Sequence, residues 1–335
     1  MSRLPISIVI PFKNTDKYIF SALQSLKNQT FCNFEAILVD DGSTDTSRQI
    51  AQDFCSQDAR FKLITGGNGL VDSLNLGLSE AQGKWIARFD SDDICHPGRL
   101  ELQLELAELH GPETVVSCKV RSFPDNLVSN GYRMYEGWIN NLVTPLEIEQ
   151  NLFVESPIPH PTAFYNRESV LRLGGYRSLG LPEDYELWLR LWQNGFNFVR
   201  VPSNLLAWRE RTDRFSRLSS VYSLTAFYKT KAMYLGFVPA LRGKKIIVAG
   251  TGQTARRLSK FLMDQGFYIK CFLSPEEEPR KKKLCNRPIE SISCFRDFGD
   301  LPILVASRRP GAREAIRAFL EGKGLTNWDD FVLCS

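Results

Sequence analysis

The sequence predicts an α/β protein in two parts, a doubly wound parallel sheet followed by a smaller α/β domain. Three observations carry this. Short β-branched runs alternate with helix-type repeats over residues 6–89, a βαβα rhythm that implies parallel strands joined by helical crossovers. Polar or acidic turns follow three of the strand ends, at residues 11–14, 40–45 and 90–93, and ligands of such sheets sit at the carboxyl ends of strands. At Gly243 the rhythm restarts with KKIIVAGTGQTARRLSKFL, which reads as strand, glycine turn and helix.

Taken in order, residues 6–10 are a buried-type strand, and Ile19, Ala22, Leu23 and Leu26 then repeat at helical spacing. Residues 36–39 are a second strand. Ser43, Thr44 and Asp45 offer an N-cap for a helix carrying Ile50, Ala51 and Phe54. A strand over 62–64, a helix over 70–78 and a strand over 85–89 complete the alternation. Residues 132–217 are richer in Trp, Pro and Arg, and residues 218–241 read as a connecting helical segment. Beyond it FYIKCFL and LPILVAS supply two more strands and REAIRAFL a helix, while EEEPRKKK (276–283) reads as a solvated loop. The predicted division is 1–217, a linker over 218–241, and a small domain over 242–335.

The 335-residue length favours two domains, and 43% hydrophobic against 24% charged residues excludes disordered and fibrous classes. A net charge of +4 permits an anionic ligand without demanding one. The eight cysteines stand singly without CxxC spacing, and there are three histidines. That argues against a zinc site and a disulfide framework, and for reduced thiols. ISIVIPF near the start reads as a strand, not a signal peptide. No apolar run approaches the ~20 residues of a membrane-spanning helix, so a cytoplasmic protein, soluble or peripheral to a membrane, is expected.

The run IARFDSDD (86–93) ends an apolar strand in three aspartates within four positions. An unpaired carboxylate is costly to bury, and close like charges raise each other's pKa. Arg88 could compensate one of them; a divalent cation, Mn2+ or Mg2+, is the simpler answer, because it takes oxygen ligands and completes its shell with substrate phosphates. In an extended segment Asp90 and Asp92 would face one side. VDDGSTD (39–45) sets Asp40 and Asp41 just past a strand, either as a capped turn or as acceptors for a nucleobase or ribose.

Four motifs, IVIPFKN, VDDGSTD, GKWIARFDSDD and LPEDYELWLRL, occur in that order over roughly residues 4–217. Together they resemble the family 2 inverting glycosyltransferases of GT-A fold, the nucleotide-diphospho-sugar transferase fold. The resemblance implies that Pro11, Asn14, Asp40 and Asp41 line the pocket for the base and ribose of a UDP-sugar. It makes Asp90 and Asp92 the DxD pair holding metal and diphosphate, with Asp93 a third acid. Many relatives carry an Arg–Asn pair ahead of the DxD strand. This chain has Leu74–Asn75 there, and Arg88 is the candidate substitute, acting through a DxD carboxylate.

In LPEDYELWLRLWQNG, Tyr185, Trp188, Leu189 and Trp192 fall on one helix face. Acids at a helix start are stabilising in any case. Beside a DxD site, however, displacement at an anomeric carbon needs a carboxylate to deprotonate the acceptor. The resemblance implies Asp184 as that base and Glu183 as its orienting or acceptor-binding neighbour. LLAWRERTDRFSR (205–217) carries Arg209, Arg211, Arg214 and Arg217. It is a solvated basic loop or a segment contacting the departing diphosphate, with Arg209 and Arg211 favoured because Trp208 could fix them. His160, between two prolines ahead of a strand, is either a structural or acceptor-side histidine or a metal or phosphate contact.

GTGQTA (250–255) matches GxGxxA after a strand and before a helix, which opens an alternative: a nucleotide-binding or dehydrogenase-like protein. The next strand ends in Leu273–Ser274 instead of an acid, and no second nucleotide-binding half follows, so a structural or small-anion role ranks higher. YEGWINNLVTPLEIEQNLFVESP, the WRER segment and the appended domain resemble bacterial two-part glycosyltransferases whose second part is Rossmann-like. More distantly they resemble the animal β-1,3-N-acetylglucosaminyltransferase-like type, which galactosylates queuosine in tRNA. The expected activity is inverting transfer of a hexosyl group, galactose or N-acetylglucosamine, from a UDP-sugar. The expected acceptor hydroxyl belongs to a glycan or surface-polysaccharide precursor or to tRNA queuosine, although no RRM, KH or OB signature is visible.

Overall fold

A computed structural model describes residues 4–214, 217, 219–279, 281–309 and 311–335. The chain divides into two compact units, the first drawn from Met1–Ile148, Pro157–Leu179 and Glu183–Leu218, the second from Glu149–Ser156, Gly180–Pro182 and Ser219–Ser335.

In the first unit β1 (Ile6–Phe12), α1 (Ile19–Lys27), β2 (Phe34–Asp40), α2 (Ser47–Gln57), β3 (Phe61–Thr65), α3 (Leu70–Glu80) and β4 (Trp85–Arg88) form the predicted alternation. These four strands are parallel, with Val9 opposite Ile37 and Ile6 opposite Trp85. Every residue of β1 and β2 is buried, Ser7, Glu35 and Asp40 included, as in a sheet covered on both faces. Helix α1 buries Ile19, Ala22, Leu23 and Leu26, the predicted face. Helix α2 starts later than its predicted cap. Asp45 Oδ1 accepts the Ser47 N–H at 2.9 Å while Oδ2 accepts the Asp16 N–H at 3.2 Å, so Asp45 ties a loop to the helix start from two residues ahead.

The unit continues through β5 (Ile94–Cys95), α4 (Arg99–His110), β6 (Thr114–Phe123), α5 (Asn130–Asn141), α6 (Pro145–Glu149), β7 (Phe164–Asn166), α7 (Arg167–Arg172), α8 (Glu183–Gln193) and β8 (Asn197–Arg209). Among the described residues the strand order is β3-β2-β1-β4-β7-β6-β8-β5. The sheet is mixed, which corrects the all-parallel expectation. Strand β7 runs antiparallel to β4 and β6, and β5 antiparallel to β8. Parallel neighbours need a crossover connection; β7 is three residues long, entered from a 3-10 turn (His160–Thr162) and left directly into α7. A second correction concerns residues 205–209, which lie in β8 instead of forming a loop, with 206–209 pairing with β6.

The second unit contains α9 (Leu224–Leu235), β9 (Lys245–Ala249), α10 (Gln253–Asp264), β10 (Tyr268–Ser274), β11 (Lys283–Leu284), β12 (Arg287–Ser291), β13 (Ile303–Val305), α11 (Ala312–Gly322) and β14 (Phe331–Leu333). Its sheet order is β11-β12-β10-β9-β13-β14, parallel except for β11. The segment expected to be helical holds α9 between two 3-10 turns; Leu218, where that segment was to begin, lies outside the described residues. Lys231 on α9 is buried, donating to Val154 O at 2.8 Å and Ser335 Oγ at 2.7 Å. Residues 276–278 and 281–283 are exposed, but Lys283 already belongs to β11, so the expected loop ends one residue sooner; Arg280 lies outside the described residues. Among the described residues no helix is long and apolar enough to cross a membrane.

Candidate active site

All the residues singled out in the sequence as catalytic, metal-binding or donor-binding lie in the first unit. Asp90, Asp92 and Asp93 follow β4 in a turn closed by the Asp93 N–H on Asp90 O at 3.3 Å. The expectation of an extended segment is thereby corrected: it is the turn that brings one oxygen from each carboxylate within 4.8 Å of the others. Burial and the neighbouring Asp90 push the Asp92 carboxyl up, against the pull of Arg211 and Arg214. Burial with Asp92 and Asp90 holds Asp93 well above the usual carboxylate range. Asp93 Oδ1 accepts the Arg209 N–H at 2.7 Å, whereas Oδ2 is buried with no hydrogen-bond partner.

Positive charge surrounds this turn. Arg88, buried at the end of β4, pairs with Asp90, as the sequence suggested. Arg209 Nε donates to Asp92 O at 2.5 Å, and Arg211 Nε lies 3.0 Å from Asp92 Oδ2. Tyr18 holds both guanidiniums, with Arg209 4.9 Å and Arg211 5.4 Å from its ring centre, and Phe123 backs Arg209 at 4.4 Å. The expectation that Trp208 fixes them is corrected. Trp208 is buried against Tyr132 and Tyr135 and instead carries Arg214, 4.9 Å from its ring. Arg217 pairs with Glu210 at 3.1 Å; Phe215 and Ser216 of the same segment lie outside the described residues. Three converging carboxylates, two with raised pKa and one with an unpartnered buried oxygen, fit an oxygen-seeking divalent cation.

At the ends of β1 and β2 the polar residues bond to one another. Pro11 is buried in β1 opposite Val39. Asn14, at φ +53°, accepts the Thr44 N–H on Oδ1 at 2.8 Å and donates its own N–H to Ser43 Oγ at 3.2 Å. Asp40 accepts the Ser43 N–H at 2.9 Å and pairs with Arg48 at 2.9 Å. Asp41 accepts the Gly69 N–H at 2.9 Å and faces Lys13 at 3.6 Å. These bonds build a shaped loop at the same sheet edge as the acidic turn, where Phe89 N–H meets Val9 O and Asp41 N–H meets Phe12 O.

Glu183 and Asp184 open α8. The helix is buried around most of its surface: Tyr185, Glu186, Leu187, Trp188, Leu189, Arg190 and Leu191 are all covered, while Trp192 is only partly so. The single buried face of the prediction is too narrow, because Glu186 and Arg190 neutralise each other at 2.9 Å, and Arg190 also bonds Leu173 O and Gly175 O. Burial, Glu183 next, pushes the Asp184 carboxyl up to about 8, with the Tyr185 N–H at 2.7 Å and Arg88 opposing. His160 is buried with Nδ1 3.6 Å from Glu183 Oε1. Burial, then Arg88, hold its imidazole well below its ordinary pKa, hence neutral. Its side chain meets Tyr176, Glu183 and Trp188 and not the acidic turn. Arg88 thus sits electrostatically between the two acidic groups.

Sequence reasoning missed Tyr18, Arg48 and Tyr176. None lies in a patterned motif, and each becomes part of the site only through tertiary contact. Asn75 was noted for its place beside Leu74; in the fold it clamps the backbone of Tyr176, accepting its N–H and donating to its carbonyl, each at 2.9 Å.

A mixed sheet whose strand ends gather carboxylates and arginines, with an acidic helix start in the same unit, has the architecture of the GT-A glycosyltransferase fold. Comparison with known proteins agrees. The family model described as glycosyl transferase family 2 matches residues 7–174. EpsE of Bacillus subtilis strain 168, by name a glycosyltransferase, is 32% identical over 226 residues, covering 65% of this chain and 78% of EpsE. The UDP-Gal:alpha-D-GlcNAc-diphosphoundecaprenol beta-1,3-galactosyltransferase of Escherichia coli is 27% identical over 235 residues, covering 69% and 82%. Among solved structures, S. aureus TarS 1–349 in complex with UDP-GlcNAc gives a TM-score of 0.52 at 18% identity, over 78% of this chain and 71% of that one. The mannosyltransferase PcManGT from Pyrobaculum calidifontis, in complex with GDP-Man and Mn2+, gives 0.50 at 19%, over 79% and 70%. The chain belongs to glycosyl transferase family 2 and is a glycosyltransferase.

Proposed function

We propose that the chain transfers a hexosyl group, galactose or N-acetylglucosamine, from a UDP-sugar to an acceptor hydroxyl with inversion at the anomeric carbon. The observation that carries this is the acidic turn with its unpartnered Asp93 oxygen. Asp90 and Asp92 hold a divalent cation, Mn2+ or Mg2+, and Asp93 backs them. When bound, that cation supplies positive charge to the diphosphate leaving group. Arg209 and Arg211, fixed over Tyr18, add charge that needs no reorganisation. Pro11, Asn14, Asp40 and Asp41 receive the nucleoside, and Arg88 sets the Asp90 carboxylate. Asp184 removes the acceptor proton and Glu183 orients the acceptor. His160 acts on the acceptor side, and Trp208 acts through Arg214.

The acceptor favoured is a saccharide precursor. The E. coli relative's name, which specifies a diphosphoundecaprenol-linked N-acetylglucosamine, supports it. A second reading, queuosine in tRNA, has in its favour the charge of residues 219–335, where 20 Lys and Arg face 11 Asp and Glu. On either reading residues 1–217 are catalytic, 218–241 connect, and the Rossmann-like 242–335 is structural or a docking part. Use of a nucleotide sugar suits a cytoplasmic enzyme, soluble or peripheral to the membrane.

The test is a panel of UDP-sugars with Mn2+, read first as a rise in melting temperature and then as product stereochemistry. One α-linked UDP-hexose should stabilise the protein and give a β-linked product. An α-linked product, or stabilisation by NAD(P) instead, would contradict the proposal.

A further inference from the structure

Behind the acidic start of α8 lies a buried chain of polar groups. His160 Nε2 is 2.8 Å from Tyr176 Oη, and Tyr176 Oη is 3.0 Å from Tyr165 Oη. On the other side of the ring, Nδ1 faces Glu183 Oε1 at 3.6 Å. The imidazole rests edge-on against Trp188, 6.0 Å between centroids at 77°. Tyr176 is itself fixed, since Asn75 bonds both its backbone N–H and its carbonyl. Gly175, at φ +60°, permits this approach; a Cβ there would come within 2.6 Å of Asn75 Oδ1.

The inventory of donors gives the chain a direction. An ionised carboxylate only accepts, and a neutral imidazole has one N–H and one lone pair. A lone pair on Nδ1 would face the carboxylate and repel it, so the proton belongs on Nδ1. Nε2 is then the acceptor for the Tyr176 hydroxyl, whose oxygen accepts in turn from Tyr165. In this one arrangement both hydrogen bonds of the chain, Tyr165 to Tyr176 and Tyr176 to Nε2, are made, and the Nδ1–H faces Glu183 Oε1 at 3.6 Å. Burial keeps both phenols protonated and the imidazole uncharged, so the arrangement has no competing charge state.

We propose that Tyr165, Tyr176 and His160 form a positioning chain that fixes His160 as its Nδ1–H tautomer and thereby holds the Glu183 carboxylate for the transfer reaction. The proposal rests on the reading of Glu183–Asp184 as the acceptor-side pair. His160 and Tyr176 bond to each other, to Tyr165 and to Asn75, and His160 faces Glu183; they act through Glu183. At 3.6 Å the contact is long, as catalytic contacts often are before the substrate complex forms.

The experiment uses full-length protein labelled with nitrogen-15 in its histidines. With three histidines in the chain, the His160 resonances are identified by their loss in His160→Gln. The expected wild-type signature is a neutral ring protonated at Nδ1. In Tyr176→Phe that signature should give way to a tautomer mixture. Its kcat should fall roughly three- to tenfold, the worth of one buried hydrogen bond, with donor KM unchanged. Tyr165→Phe, at the far end, should do the same more weakly and serves should Tyr176→Phe fail to fold. A wild-type ring protonated at Nε2, or an unchanged kcat in a folded phenylalanine variant, would overturn the chain. Failure of the underlying reading looks different: Asp184→Asn would then keep its transfer rate while the Nδ1–H signature stood.

Discussion

After β4 in the first unit the chain turns through three aspartates, with Arg88, Arg209 and Arg211 around them. After β9 in the second unit it turns through Gly250, Thr251 and Gly252, which carry no ionisable side chain. Both turns leave the carboxyl end of a parallel strand, the place where such sheets bind ligands. Yet the second is explained by packing: at Gly250, φ +132°, a Cβ would come within 2.4 Å of Ala306 O, so glycine there lets two strand ends close. In the first turn burial works against the fold, raising Asp92 and Asp93. A chain keeps such costly groups where a ligand compensates them. The same topology thus gathers carboxylates in one case and closes a tight corner in the other, and the difference lies in the residues each turn carries.

The largest expected effect concerns the acidic helix start. Asp184→Asn keeps shape and removes the basic lone pair, and should lower the transfer rate ~10²–10⁴-fold, as loss of a general base does, with UDP-sugar affinity unchanged. A variant retaining full rate would reduce the pair to helix-start acids. The protonation of Asp184 makes a second prediction. A base raised to about 8 is mostly protonated at neutral pH, so kcat/KM should rise about tenfold per unit below that value and level off above it. Asp184→Asn should flatten the profile. For stability the sign is opposite: a raised carboxyl stabilises the fold while protonated, below its ordinary value of about 4, and that contribution is lost as pH climbs through about 8.

Gly250→Ala sharpens the contrast from the other side. Backbone strain of this kind costs about 1–3 kcal/mol, visible as a lower melting temperature, while UDP-sugar binding should stay as it was. A loss of donor binding in the folded variant would give the second turn a ligand role after all. The smallest effect is at Tyr18. Replacing it by Leu removes the ring beneath Arg209 and Arg211, worth about 0.5–1 kcal/mol at an exposed site, and should weaken UDP-sugar binding about two- to fivefold by titration calorimetry.

Much of this was legible from pattern alone. The β1–β4 alternation has strong periodic runs, and the acidic turn announced itself by placing carboxylates where an apolar strand ends. Strand β8 was hidden because its apolar run Leu205–Trp208 leads straight into Arg209, Glu210 and Arg211, and an arginine-rich end looks like a loop. Strands β11 and β14 are two and three residues long, too short for any periodicity. Tyr18 and Tyr176 carried no signal because their roles exist only across the fold. Trp208 was assigned the wrong arginine for the same reason: sequence adjacency favoured Arg209, but successive strand residues point to opposite faces, and Arg214 returns to the tryptophan's side.

The central claim, that the turn after β4 is a cation-dependent nucleotide site, is tested most directly by titrating UDP into the full chain with and without Mn2+, in wild type and Asp92→Ala. The account predicts tight binding to the wild type with Mn2+ and much weaker binding without it. The variant should be folded and insensitive to the metal. Equal, metal-enhanced affinity in both proteins would contradict it.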